Sequence, residues 1–301
     1  MRWRWSWLVG AAVLAVVLWS VGADPFVLGV RSLDAGTLTL GVLLGVPITV
    51  AGAWRWRLVS RRLGVELRPG RATAACYRSQ LLNSVLPGGV LGDVARGVDH
   101  GRAAGDPVRA LRSVAWERTA GQAVSAAVAV LVLLVLPSPV RSSVPVVLAV
   151  VLGGLALLMV LGRVWPTLRA DLAGLAERRV WPGVVAASAV AVAGHVATYV
   201  VAVRAVGVTA PLTTLLPLTM LVLLAAAIPA NLAGWGPREG VAAWAFGAAG
   251  LGAAQGVAAT VAFGVLVLVA ALPGTLVLLA DLVTPAGARP ADLVTGRRSR
   301  A

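Results

Sequence analysis

The 301-residue chain is 59% hydrophobic and 13% charged, with a mean hydropathy of +0.88. A soluble domain of this size would have to leave most of its surface apolar, so the composition excludes one and describes a polytopic membrane protein. The net charge of +14 is carried by arginine alone, lysine being absent, and a single cysteine, Cys76, excludes an internal disulfide or a Cys-rich metal site.

The N-terminus, MRWRWSW followed by LVGAAVLAVVLW and Val21-Gly22-Ala23, has the three regions of a signal peptide, but the apolar runs downstream favour a retained first helix. That span runs about Trp7 to Val21, and either reading leaves Asp24 to Asp34 outside. A second span covers about Thr37 to Ala53. Between Trp54 and Arg71 six arginines then face one glutamate, the strongest orientation signal in the chain, which places this loop in the cytoplasm. An apolar segment from about Ala72 to Val94 is broken by Pro87, Gly88, Gly89 and Gly92, and leads into a polar stretch from Arg96 to Arg112.

Further spans are expected at about Ala115 to Leu136, Val144 to Leu161, and Gly183 to Val203, the last containing His195. A second basic loop, RVWPTLRADLAGLAERRVW, separates the latter two. Residues Leu212 to Leu232 are apolar and are broken by IPANLAGWGPREG, Ile228 to Gly240. A short piece, Val241 to Gly250, precedes a last long span from about Gly256 to Leu279. The Pro-, Gly- and Arg-rich end is expected to be a disordered cytoplasmic tail, 286–301, behind a single transmembrane domain, 1–285. Arginines lie between spans and at the ends, where the positive-inside rule and anionic headgroups account for them without a nucleic-acid partner. Trp3, Trp5, Trp7, Trp19, Trp54, Trp56, Trp165 and Trp181 cluster at span ends as an aromatic belt, which needs no binding role.

The two breaks match in register. Pro87, Gly92 and Arg96 recur as Pro229, Gly234 and Arg238, with an acid beside each arginine, Asp93 and Glu239. Interrupted apolar segments at corresponding positions of two halves are a transporter-like signature. Exposed backbone at membrane depth survives only when packed in protein or lining a wet cavity. The pattern predicts an all-α polytopic protein of about eight membrane elements: six full spans and two re-entrant hairpins in an inverted repeat, with halves 1–140 and 141–285. Every strongly basic connection and both termini then fall in the cytoplasm. Full spanning by both broken segments would satisfy the charges equally.

Arg96 and Arg238 are the first candidates for an anion site, because guanidinium gives phosphate two parallel hydrogen bonds and stays charged. The alternative is a structural ion pair with Asp93 or Glu239. Those acids could orient the arginines, bind an amino group or carry a proton. Glu117 and Arg118, at the start of a span, read as a headgroup-level ion pair or as cavity-facing groups. Gly88, Gly89, Gly92, Gly234 and Gly236 permit tight turns whose free N–H groups could meet phosphate oxygens. Asn83 and Gln80 read as interhelical hydrogen-bonding residues, His195 as the same or as a proton relay, His100 as a solvated loop residue, and Cys76 as apolar filler. No hydrolase elbow, HExxH, P-loop or Rossmann fingerprint occurs, so neither an enzyme, a metal nor a cofactor is expected.

LLNSVLPGGVLGDVARG resembles the "n-x-x-LPgg-x-GD-x-x-R" segment of the flippase-like transmembrane region of lysylphosphatidylglycerol synthases. VAWERTAG resembles the "v-x-ERx-xG" opening of its next helix, and IPANLAGWGPREG its "P-x-x-x-gG-x-G-x-rE" segment. The resemblance implies a plasma-membrane protein that moves or handles anionic or aminoacylated lipids or polyprenyl-phosphate carriers. Full-length synthases add a soluble domain that transfers lysine from charged tRNA. The chain ends soon after its last expected span, so synthase activity is not expected here. The leading expectation is a lipid translocase binding an anionic headgroup between the two breaks. A proton-coupled small-solute transporter, or a lipid-presenting partner of a membrane glycosyl- or aminoacyl-transferase, are the alternatives.

Overall fold

A computed structural model describes residues 3–86, 88–136, 138, 141–228 and 235–283, with the backbone alone at 3–10, 143 and 282. Pro87, Pro229, Gly234 and the tail from 284 onward lie outside the described residues. The structure is all-helical. Helix α1 (Trp3–Val21) ends at Gly22, and the chain bends by 95° into α2 (Asp24–Arg31). The stretch expected as an external connection is therefore largely helix. Its Gly29 is pressed against the last span: a Cβ there would lie 2.5 Å from the Ala258 carbonyl oxygen.

Helix α3 (Ala35–Arg62) opens with a capping box in which Thr37 N–H donates to Asp34 Oδ1 at 2.7 Å and Asp34 N–H donates to Thr37 Oγ1 at 2.9 Å. The Thr37 N–H first, and then the Thr37 hydroxyl, which donates to Asp34 Oδ1 at 2.9 Å, hold the exposed Asp34 carboxyl below its usual range. The helix runs past the expected span end at Ala53. The first half of the Arg-rich stretch read as a loop is thus the end of α3, with Trp56 and Val59 fully buried, and the connection proper is only 63–68. Next come α4 (Pro69–Val85), α5 (Leu91–Ala104), α6 (Pro107–Val135), α7 (Val144–Val164), α8 (Pro166–Leu175), α9 (Trp181–Ala205), α10 (Leu212–Ala226), α11 (Pro237–Ala248), α12 (Ala253–Ala271) and α13 (Pro273–Val283). Proline in the first turn starts α2, α4, α6, α8, α9 and α11, where its missing N–H costs nothing.

Among the described residues five helices, α3, α6, α7, α9 and α12, are long and apolar enough to cross a membrane, and the bent α1–α2 pair would make a sixth. They correspond to the six expected spans. Two expectations need correction. The basic loop between α7 and α9 contains α8, docked on α6 where Trp116 Nε1 donates to Asp171 Oδ2 at 2.8 Å and Arg112 Nε donates to the same oxygen at 3.0 Å. The last span is not continuous: Pro273 cannot donate into the α12 ladder, so the chain restarts as α13, which packs on α4.

Helix α12 is the axis, packing against α2, α3, α9 and α11 with half of its apolar window buried. At the other extreme none of the α7 window is buried, and Val146, Val150 and Leu157 face outward, as suits a lipid-covered surface. Trp19, Trp54, Trp165 and Trp181 are also exposed, as a belt requires. Trp56 is not part of it: fully buried, it faces the charged interior described next.

Candidate functional site

Helices α4 and α5 form an antiparallel hairpin, so the first broken segment turns back rather than spanning. Gly88 and Gly89, at φ 89° and 61°, make the turn. Gly92 makes the close approach, because a Cβ there would strike the Ser79 backbone. Asn83 then ties the two arms: its Oδ1 accepts from Gly92 N–H at 2.8 Å, and its Nδ2 donates to Asp93 Oδ2 at 2.8 Å. Ser79 Oγ donates to Asp93 Oδ1 at 2.9 Å. Changing Gly92 to alanine is expected to splay the arms at a cost of about 1–3 kcal/mol, read as a lower unfolding temperature of the purified protein. An unchanged transition would show that Ser79 yields without cost.

Asp93, so oriented, anchors Arg96. The Arg96 Nε donates to Asp93 Oδ1 at 2.9 Å, Nη1 to Cys76 Sγ at 3.3 Å and Nη2 to Glu117 Oε2 at 2.6 Å. The guanidinium lies 4.6 Å over the Trp56 ring, whose Nε1 donates to Ser113 Oγ at 3.0 Å. Ser60 Oγ joins Ser113 and lies 3.3 Å from His100 Nε2. His100 is thus half-buried edge-on to Trp56, not in a solvated loop.

Glu117 follows the cavity-facing alternative, and its ion pairs are with Arg55 and Arg96. It lies on α6 three turns from the N-terminus and is buried. Its Oε1 accepts from Arg55 Nε at 2.9 Å and Nη2 at 2.5 Å, and Arg55 Nη1 donates to Ser188 Oγ on α9 at 3.1 Å. One carboxylate thereby joins α3, α5 and α6. Arg118, the next residue, uses Nη2 alone, on Asp93, and its side chain is 43% exposed.

The second break supplies Gly236 at φ 125°, a conformation that favours glycine. Its N–H donates to Glu239 Oε2 at 2.6 Å, while Arg238 Nε donates to Glu239 Oε1 at 2.6 Å. The Arg238 guanidinium sits 4.9 Å from the Trp235 ring and 5.9 Å from Phe263. Helix α10 packs beside α11, so the described helices on either side of the second break are neighbours.

Both breaks open on one cavity of about 400 Å³. Arg55, Arg96, Arg118 and Arg238 line it, together with Asp93 and Glu117, while Glu239 stands behind Arg238. Four guanidiniums against three carboxylates leave one positive charge unmatched. Arg55 and Arg96 have every guanidinium nitrogen bonded. Arg118 and Arg238, among the described residues, do not. Among the described residues the one fully buried side-chain N or O without a partner is Gln255 Oε1, so the free Arg238 nitrogens reach open cavity space. His195 also lines the cavity, with Nδ1 2.7 Å from the Ala191 carbonyl oxygen; because that oxygen can only accept, Nδ1 carries a hydrogen there.

The structure thus brings Arg96, Arg118, Arg238, Asp93, Glu117, Asn83 and Gly89 to one cavity, and Glu239 to its wall. Sequence reasoning missed Arg55, Ser79 and Ser188; Arg55 had been absorbed into the positive-inside count, and nothing in the sequence marks its depth. Among the described residues no group of three His, Cys, Asp or Glu could hold a metal ion. The family model described as lysylphosphatidylglycerol synthase TM region matches residues 5–274. No curated protein matches the chain.

Proposed function

The chain belongs to the family of lysylphosphatidylglycerol synthase transmembrane regions, and we propose that it is a lipid translocase whose cavity takes an anionic headgroup between the two breaks. The observation that carries this reading is the pair of incompletely bonded guanidiniums, Arg118 and Arg238, facing one cavity with a net positive charge. A charge at membrane depth is costly, so arginines kept with free donors there imply a ligand that completes them. Phosphate oxygens do so with short charge-assisted bonds.

On this reading Arg96 and Arg55 are positioning residues. Their donors are spent on Glu117 and Asp93, which fixes the wall from which Arg118 projects. The cavity suits a headgroup rather than a whole lipid, leaving acyl chains in the bilayer. Two broken segments facing one headgroup would let it be released toward either leaflet. We take the protein to sit in the plasma membrane with both termini cytoplasmic; the orientation is supported by the basic connections, which then share one side. Proton-coupled solute transport is less well supported, because each carboxylate that could carry the proton is already held by arginine.

Proteoliposomes containing acyl-labelled phosphatidylglycerol test the reading by the rate at which label becomes accessible across the bilayer. Wild-type protein is expected to exceed protein-free vesicles, and Arg238→Gln to lower the rate by about tenfold or more, as loss of one charge-assisted bond implies. Equal rates with and without protein would end the proposal.

A further inference from the structure

We infer that Gln80, Gln122, Ser125 and His195 form a neutral belt across which a lipid headgroup passes between Arg118 and Arg238. The inference rests on the headgroup reading above and adds the route that the headgroup takes.

Hydroxyls inside membrane helices commonly satisfy themselves on their own backbone. Thr49, Ser84, Ser188, Thr198 and Thr260 do so, each donating to the carbonyl four residues back. Ser125 does not, although it lies on the long apolar helix α6. Neither it nor Gln122 has a hydrogen bond among the described residues, and both line the cavity. Gln80 spends its Oε1 on the Thr49 hydroxyl at 3.0 Å and keeps its amide donors free, and His195 spends Nδ1 on Ala191 and keeps Nε2. None of these free atoms is enclosed, so each opens onto the cavity that its residue lines.

Helices α3 and α9 run antiparallel. Arg55 meets Ser188 at one level and Ile48 meets Gly194 at another, where a Cβ on the glycine would lie 2.4 Å from Ile48 Cγ1. Gln80 on Thr49 and His195 beside Gly194 therefore flank the same turn of α3, about 9 Å of helix from Arg55. Helix α6 runs the same way as α9, its Arg112 end meeting α8, and carries Gln122 and Ser125 on past Gly121, which lies against the Arg55 guanidinium. Arg118 reaches the belt from the near side: it bonds Asp93, whose partners Ser79 and Asn83 bracket Gln80 on α4. On the far side, one turn past His195, the Tyr199 ring lies 5.3 Å from Phe263, and Arg238 is 5.9 Å from the same ring.

A phosphate held by guanidinium leaves slowly, and an apolar wall would strip its hydrogen bonds on the way. Much of the remaining lining, with Ile48, Val192, Leu223 and Leu268, is such a wall. Uncharged donors and acceptors answer both difficulties. They replace water around phosphate and hydroxyl oxygens, yet hold them too weakly to trap them, as successive weak sites do in a permeation path.

Proteoliposomes with acyl-labelled phosphatidylglycerol give the transfer rate, and native mass spectrometry of the full chain with the same lipid gives binding. The double variant Gln122→Met, Ser125→Ala keeps good helix formers on α6. It is expected to transfer about tenfold more slowly or worse, as loss of two hydrogen-bonding partners implies, while binding stays within about twofold. His195→Leu should slow transfer in the same way, whereas His195→Gln, which keeps a neutral donor and acceptor, should retain most of the rate. Wild-type rates in the double variant and in His195→Leu would overturn the inference and leave the headgroup site standing. A parallel loss of binding and rate would overturn it too, making these residues part of the binding site and not of the route. Wild-type protein no faster than protein-free vesicles would end the translocase reading, and the belt with it.

Discussion

Replacing Glu117 with alanine is expected to be the most damaging single change, costing about 3–5 kcal/mol, as removal of one partner from a buried ion pair does. The residue is buried with Arg55 and Arg96 on its two oxygens, and those arginines are themselves almost fully enclosed. Without it both guanidiniums keep their charge and lose their main counter-ion, with only Asp93, Cys76 and Ser188 left to them. Because α3, α5 and α6 meet at this carboxylate, the loss should loosen the whole wall and not one contact. Thermal unfolding of the detergent-purified protein measures it, with the yield of folded protein as a second reading. The double variant Arg96→Met, Glu117→Gln should recover part of the loss, because removing both buried charges also removes their desolvation cost. If alanine at 117 melts with the wild type, the carboxylate is not a structural centre, and the account of how Arg118 is positioned falls too.

Much of this architecture can be read from the chain, for reasons that differ by element. Spans α6, α7 and α9 announce themselves by hydropathy, since an uninterrupted apolar run has few other uses. The α4–α5 hairpin is legible because a Pro-Gly-Gly turn must go somewhere the backbone can be satisfied. The end of α3 was not legible. Arg55 and Trp56 read equally well as an orientation signal and a belt residue, and only the packing of that turn against the α4–α5 hairpin, α6 and α9 encloses them. Glu117 was legible only as one of two readings: its place beside a span's first apolar residue suits a pair with Arg118 as well as a cavity-facing group, and the arginines that reach it come from α3 and α5. The break at Pro273 was visible in the sequence and was outweighed by the hydropathy on either side. Hydropathy locates a segment in the membrane, whereas depth and neighbours are set by tertiary contacts that no window reports.

Arg118 offers the cleanest separation of function from folding. Its side chain is 43% exposed and bonds through a single nitrogen, so a substitution there removes little packing. Changing it to glutamate is expected to reduce phosphatidylglycerol binding by roughly a hundredfold or more, since a charge-assisted bond worth about 1.5–3 kcal/mol is lost and a repulsion replaces it. The cavity's unmatched positive charge would become an unmatched negative one, with the new carboxylate beside Asp93. Changing it to lysine keeps the charge but not the two-donor fork, and should lose about tenfold. The order wild type, lysine, glutamate in lipid titrations, with unfolding temperatures that fall far less steeply, is the expected pattern. Screening supplies an independent reading: added salt should narrow the gap between wild type and glutamate only slightly if the site is enclosed, and strongly if Arg118 meets the headgroup in open water. Equal binding by all three proteins would mean that its free nitrogens face no ligand, and the anion site would have to be built on Arg238 alone.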